Sequence, residues 1–294
     1  MSSDAVVLMA YGSPERLADV PAYYADIRGG RPIAPENLAD LVERYRRLGI
    51  EDSSPLNAIT ERTRAALEDE LGLPVFTGMK HWPPRIADAA EAALATGART
   101  IVGLVLAPHY SALSIKGYRD QLEQALGDRA DLRFVDSWHD EPGLVELLAD
   151  KIRGTDAHVV FTAHSLPARV LAMGDPYRDQ LLATSTLVAD GAGVSDWSFS
   201  FQSESPTGEP WLGPDILDHL RGLHARGVED VLVCPVGFVS DHLEIRWDLD
   251  VEAKELAQEL GLALERIEMP NDEAAFVRTL ATIVRRQLGV PSPA

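Results

Sequence analysis

Three features of this 294-residue chain predict an α/β architecture of two similar halves, each a parallel sheet flanked by helices, with a cleft between them. Short apolar runs alternate with helical patterns along the whole length, as parallel strands joined by right-handed crossovers require. The stretch Val6-Val-Leu-Met-Ala-Tyr-Gly-Ser-Pro14 returns position by position as Val159-Val-Phe-Thr-Ala-His-Ser-Leu-Pro167, so that Tyr11 corresponds to His164. The series Pro84-Arg-Ile86, Gly97 and Ile101 is echoed as Pro214-Asp-Ile216, Gly227 and Val231. The offsets of the two echoes differ, so chance likeness between βα units competes with duplication of one half. Duplication accounts for both echoes, and it divides the chain into residues 1–150 and 151–294.

The elements follow in order. Ala5–Ala10 is a short apolar strand, and Tyr11-Gly-Ser-Pro14 turns out of it. Residues 15–27 are helical, Ile27-Arg-Gly-Gly-Arg-Pro32 is a loop, and Asn37–Leu48 is a helix ending in Arg44, Arg46 and Arg47. Ser53-Ser-Pro-Leu56 is a turn before the helix Asn57–Leu71. Pro74–Met79 and Thr100–Ala107 are strands, separated by an alanine-rich helix over 85–96 that Gly97 stops. Helix Lys116–Ala125, strand Leu132–Val135 and helix Pro142–Gly154 complete the first half. In the second half, the run His158–His164 stops abruptly at Ser165-Leu-Pro167, which places His164 at the carboxyl end of a buried strand. Val231-Leu-Val-Cys-Pro-Val-Gly-Phe-Val-Ser-Asp-His-Leu-Glu244 reads as another strand, a turn and a helix start. Residues 272–288 form a last helix, followed by a frayed tail. Ligands of open α/β sheets bind at the carboxyl edge of the strands, where His164 and Glu244 both fall.

The formal charge of −19 argues against a nucleic-acid groove and against an anionic membrane surface. The one cysteine, Cys234, lies in an apolar run, which excludes an intrachain disulfide framework and reads as a small buried strand residue. No apolar run reaches the length of a membrane span, and Met1-Ser-Ser-Asp4 carries no signal-peptide pattern, so a cytoplasmic protein is expected.

His164 is either a structural strand-end residue or an imidazole placed to bind a transition metal or take a proton near neutral pH. Asp241-His-Leu-Glu244 has the form of a capping box. Glu244, Asp248 and Glu252 also fall on one helix face, as a solvated acidic face or as a relay for a hydrated divalent cation. Arg28, Arg31, Arg44 and Arg46 suit carboxylates or phosphates, and Tyr11, Tyr45, Trp82, Tyr110 and Tyr118 offer faces to a flat ring; ordinary surface arginines and core aromatics are the bland alternative. No dinucleotide fingerprint, Walker loop, His-Glu-x-x-His or Gly-x-Ser-x-Gly is present.

With these residues in view, the chain resembles the ferrochelatases. The resemblance rests on Leu8-Met-Ala-Tyr-Gly-Ser-Pro14, Ser54-Pro-Leu56, Gly78-Met-Lys-His81, Leu106-Ala-Pro-His109, Thr162-Ala-His-Ser-Leu-Pro167, Pro210-Trp-Leu-Gly-Pro-Asp215 and Pro235–Glu244, in order along the chain. It implies two Rossmann-like, chelatase-type halves: a porphyrin clamp in 1–150 and a His/Glu metal site in 151–294, with the last helix packing back on the first half. It is most similar to the short, soluble, monomeric Gram-positive form, which inserts Fe2+ into coproporphyrin III to give coproheme. By this likeness His164 and Glu244 are catalytic and, with Asp248 and Glu252, metal-binding. Tyr11, Arg28, Arg44, Tyr45, Ser54 and Tyr118 match porphyrin-binding positions, and Lys80 and His81 match a pair near the cleft. No organic cofactor is implied, Fe2+ being a substrate, and a single cysteine implies no iron–sulfur cluster. The implied partners are a porphyrin and iron, with transient contacts to neighbouring heme-pathway enzymes. A protoporphyrin IX ferrochelatase, a cobalt or nickel tetrapyrrole chelatase and a non-catalytic heme carrier are the alternatives; a carrier has no need of the acidic row.

Overall fold

The apolar runs form parallel strands, and the segments between them form the helices that cover both faces. The structure, a computed structural model, describes residues 3–32, 34–49, 55–205 and 207–291. The first half contains β1 (Asp4–Ala10), α1 (Val20–Ile27), α2 (Pro35–Arg47), α3 (Pro55–Leu71), β2 (Val75–Met79), α4 (Ile86–Ala95), β3 (Thr100–Val105), α5 (Ile115–Leu126), β4 (Asp131–Phe134) and α6 (Pro142–Ile152). The second contains β5 (His158–His164), α7 (Arg169–Ala172), α8 (Tyr177–Ala192), β6 (Trp197–Gln202), α9 (Ile216–Ala225), β7 (Asp230–Cys234), a π-helix (Ile245–Ala253), α10 (Lys254–Leu260), β8 (Ala263–Arg266) and α11 (Ala274–Leu288). The helix expected over 15–27 begins with a 3-10 turn at Leu17–Asp19, and α1 proper starts with Pro21 in its first turn, where no backbone N–H is required. Of the expected Ser53–Leu56 turn, Ser53 and Ser54 lie outside the described residues, which resume at Pro55.

Among the described residues the strands make two four-stranded sheets, ordered β2-β1-β3-β4 and β6-β5-β7-β8, parallel throughout. The orders are identical once β5 is set on β1. The equivalence extends to detail: Met79 N donates to Pro84 O at 2.7 Å, and Phe201 N donates to Pro214 O at 2.8 Å, each closing a strand onto the turn before a helix. The two sequence echoes therefore fall on equivalent elements, β1 with β5 and α4–β3 with α9–β7.

Alternation along the strands sets what each face touches. Ala5, Val7 and Met9 of β1 join Ile86, Ala90 and Leu122 in one core, beneath α4 and α5. Val6 and Leu8 turn the other way, into a core shared with Phe161 of β5, Leu144 and Leu148 of α6, and Phe276 and Leu280 of α11. Each fully buried side chain of this kind contributes roughly 1.5–3 kcal/mol. Because this core takes residues from both sheets, it fixes one half against the other, and α11 packs on α3, β3 and α6. A separate small cluster, Val20 and Tyr45 with Leu38, Leu41, Val42 and Leu243, seats α1 and α2 against the start of the second half's π-helix.

Candidate active site

Two close backbone approaches build the site. Gly237, in the loop after β7, lies so near β5 that a Cβ there would sit 2.4 Å from the Cβ of Ala163. Its N–H donates to Thr162 O at 3.0 Å, which carries the following chain past the end of β5. The π-helix then starts beside His164, and His164 Nε2 lies 3.4 Å from Glu244 Oε1. On the equivalent corner of the first half, Gly12 has φ +83°, and a Cβ would meet that of Trp82 at 2.7 Å. Only glycine suits both the angle and the space. Tyr11 therefore stands at the edge of β1 as His164 stands at the edge of β5, 41% exposed, with its ring 4.6 Å from that of His81.

His164 is held from several directions. Its Nδ1 hydrogen is directed at Ser165 O, its carbonyl accepts from the Tyr177 hydroxyl at 3.0 Å, and the Trp211 ring lies tilted at 6.4 Å. The Nδ1 bond leaves Nε2 to face Glu244. Burial disfavours the imidazolium, yet the charge and hydrogen bond of Glu244, the Ser165 carbonyl and Asp248 outweigh it and push His164 up to about 9. Burial likewise opposes the charge on Glu244, and His164 and His242 overcome it, holding the carboxyl well below the usual range. The pair at pH 7 is imidazolium and carboxylate. His242 Nε2 is 3.4 Å from Glu244 Oε2.

The acidic row continues outward. Asp248 is 6% exposed, and the Ser203 hydroxyl donates to it. Burial, opposed by the Ser203 bond and reinforced by the charges of Glu244 and Glu252, pushes Asp248 up to about 7. Asp248 and Glu252 line a cavity of about 130 Å³ with Ser203, Glu204, Asp215 and Arg44. Among the described residues no three His, Cys, Asp or Glu side chains converge to cage a metal ion, so His164, Glu244, Asp248 and Glu252 form a row rather than a closed site. The alternative reading of Asp241–Glu244 as a capping box does not hold. The Asp241 carboxylate is taken by Arg266 and Asn271, at 2.8 Å each, rather than by backbone N–H groups.

The remaining expected residues divide. Arg28 sits at the end of α1, its Nε buried and, among the described residues, without a partner, and its guanidinium 6.0 Å from the Tyr24 ring. Arg44 belongs to the acidic cavity, paired with Asp40 at 2.9 Å and lying over Trp247 at 5.3 Å. Tyr45 is only 2% exposed, its hydroxyl 3.3 Å from Ser13 Oγ. Tyr118 is also buried, under the Lys80 ammonium at 4.7 Å. Ser54 lies outside the described residues. The structure adds residues that the sequence reading missed: Ser203, held at φ +66°, Gln202, which reaches Asp248 at 3.4 Å, and Thr162, which donates to Gln202 at 2.9 Å. Thr162 lies two positions before His164 on the same strand face, a signal that was available.

Two parallel-sheet halves of the same strand order with a cleft between them make a chelatase-type fold. Solved structures agree on the fold. SirB of Bacillus subtilis aligns over 97% of this chain and 95% of its own, with TM-score 0.61 and 11% identity. CbiX, from siroheme biosynthesis in denitrifying bacteria, aligns over 96% and 98%, with TM-score 0.53 and 14% identity.

The family model described as Ferrochelatase matches residues 3–288, and the chain belongs to the ferrochelatase family, lyases that insert a metal ion into a porphyrin. A ferrochelatase of Herpetosiphon aurantiacus is 44% identical, over 96% of this chain and 98% of the relative. The coproporphyrin III ferrochelatases of Halalkalibacterium halodurans and Bacillus subtilis are 39% and 38% identical, over 96% and 97% of this chain and the same shares of their own. The substrates of the family are a porphyrin and Fe2+.

Proposed function

We propose that this chain inserts Fe2+ into coproporphyrin III, giving coproheme for heme synthesis. The observation that carries the reaction is the His164–Glu244 pair, 3.4 Å apart at the carboxyl edge of the second sheet and opening onto an acidic row. The coproporphyrin reading is supported by relatives of that name matched over nearly their whole length. Arg28 also supports it, with a buried guanidinium nitrogen on the clamp half that has no partner among the described residues and suits a propionate.

Insertion requires the macrocycle to bend, two pyrrole protons to leave and the iron to shed water. The first half, residues 1–150, supplies the bend by gripping ring edges with Arg28, Tyr11 and, by resemblance, Ser54, so that remote binding energy is used at the centre. Tyr45 and Tyr118 are buried in the cores of this half and serve the clamp through its packing. The second half, residues 151–294, supplies charge. Glu252 and Asp248 receive a hydrated cation and Glu244 draws it inward as a carboxylate; the approaching cation displaces the His164 proton along the acidic row to water, the freed imidazole takes up one pyrrole proton, and the second leaves to water along the same row. The Arg44 position beside Asp248 and Glu252 supports a role at this metal entrance rather than on a propionate. The single buried Cys234 supports a protein without an iron–sulfur cluster, and the whole reading suits a cytoplasmic monomer that meets neighbouring pathway enzymes transiently.

His164→Ala tests the assignment. Anaerobic iron insertion should fall by at least about 100-fold while porphyrin binding, followed by absorbance titration, persists. Insertion at the wild-type rate would overturn it.

A further inference from the structure

We propose that Asp26 is a positioning residue for the Tyr11 wall of the cleft, acting through His81. The inference rests on the ferrochelatase reading of the site and assigns a role that the acidic row and the His164–Glu244 pair leave open. Asp26 lies on α1, two residues before Arg28. Its carboxylate accepts from His81 Nδ1 at 2.8 Å and from both terminal nitrogens of Arg85 at 3.1 Å. Both donors belong to the turn between β2 and α4. Arg85 also donates to Lys80 O at 3.2 Å, so one guanidinium braces the turn and the carboxylate together.

That turn is fastened to the end of β1. Lys80 N donates to Ala10 O and His81 N to Tyr11 O, each at 2.9 Å. A carboxylate is an acceptor only, so the His81 proton on that side sits on Nδ1 and the rotation of the ring is fixed. The fixed imidazole lies against Tyr11, centroids 4.6 Å apart and planes at 55°. Gly12, locked against Trp82, stops the Tyr11 backbone from retreating. One carboxylate thus ties the helix that presents Arg28 to the ring that faces the macrocycle. Arg85 and His81, outweighing burial, keep Asp26 below its ordinary pKa and therefore charged.

The Asp26–Arg85 ion pair adds little to the stability of the arrangement. The Asp26 and Arg85 side chains are 35% and 41% exposed, and ion pairs so exposed stabilise little. Its effect is geometric: a ring wall held in place before the porphyrin arrives, so that binding energy bends the macrocycle instead of moving Tyr11.

The test compares full-length wild type, Asp26→Asn and Asp26→Glu in anaerobic iron insertion into coproporphyrin III. Melting temperature and the resonance Raman out-of-plane bands of bound metal-free porphyrin are read alongside. Asp26→Asn should lower kcat about tenfold and weaken those bands, with KM for porphyrin within about twofold and Tm within about 2 °C of wild type. Asp26→Glu should restore kcat to within about threefold. Wild-type kcat and Raman bands in Asp26→Asn would overturn the proposal, as would a kcat loss that follows a fall in Tm and is not rescued by glutamate. If Asp26→Asn does not fold, His81→Phe keeps a ring on Tyr11 without the bond. It should show the same kcat loss, and wild-type kcat there would equally overturn the role. Absence of insertion by wild type would overturn the functional reading and this role together, whereas wild-type turnover with an indifferent Asp26→Asn removes this role alone.

Discussion

His164 and Glu244 are eighty residues apart in the chain and 3.4 Å apart in space. The sequence pointed to both, because each follows an apolar run that ends in a turn, and strand ends are where α/β folds keep their chemistry. What holds them was less legible. Ser203 and Gln202 grip Asp248 from the end of β6, and nothing in Trp197-Ser-Phe-Ser-Phe-Gln202 marks its last residues as partners of a carboxylate 46 positions away. The burial of Asp248 and its nearness to Glu244 and Glu252 set its part in the row. Asp248→Ala should leave porphyrin binding intact, reduce insertion less than His164→Ala does, and raise the half-saturating iron concentration by about three- to tenfold. Insertion assayed over a range of Fe2+ checks this, and an unchanged iron dependence would remove Asp248 from the path.

At the scale of elements, the π-helix and the loop before it decide where the carboxylates fall. A stretch bonded i to i+5 over Ile245–Ala253 is rare, and such stretches concentrate at functional sites. Its spacing lay beyond sequence reading, which took an ordinary helix there, with a capping box at Asp241 as the bland alternative to the carboxylate row. That misreading has a physical cause: Arg266, the last residue of β8, claims both Asp241 and Asp250 at 2.8 Å. β8 itself, Ala263-Leu-Glu-Arg266, is an edge strand of four residues with no apolar run to announce it. The loop makes a sharper prediction. Gly237→Ala would drive a methyl into the Ala163 Cβ at 2.4 Å and its Cα at 2.8 Å, so the backbone that delivers Glu244 must move. A stability loss of about 1–3 kcal/mol in denaturant melts, with insertion depressed even where the protein is folded, is the expected result.

For the whole molecule, the duplication visible in two short echoes is a duplication of sheet order, and the cleft lies where the two copies meet. The sequence carried this because strand ends and their turns are local, whereas the core that joins the halves is assembled from residues more than a hundred positions apart. His109 belongs to that junction. It is 2% exposed, it donates from Nε2 to Thr184 Oγ1 on the other half at 2.9 Å because that hydroxyl gives its own hydrogen to His139 O, and among the described residues its Nδ1 has no partner. Burial and His139 push it down to about 3. Its folded pKa lies below the ordinary value of about 6.5, so its contribution is present above that pH and is lost as pH falls towards 3. Stability relative to His109→Phe should therefore decline by roughly 1.4 kcal/mol for each pH unit between 6 and 4, read from urea melts at each pH. A difference independent of pH would contradict the burial of a neutral imidazole.

Anaerobic Fe2+ insertion into coproporphyrin III and protoporphyrin IX, measured side by side with the same protein, decides whether this cleft metallates coproporphyrin. Rapid turnover is expected, with kcat/KM for coproporphyrin III at least about tenfold higher. Equal or greater kcat/KM for protoporphyrin IX would contradict the substrate assignment, and insertion into neither, with both bound tightly, would contradict the reaction.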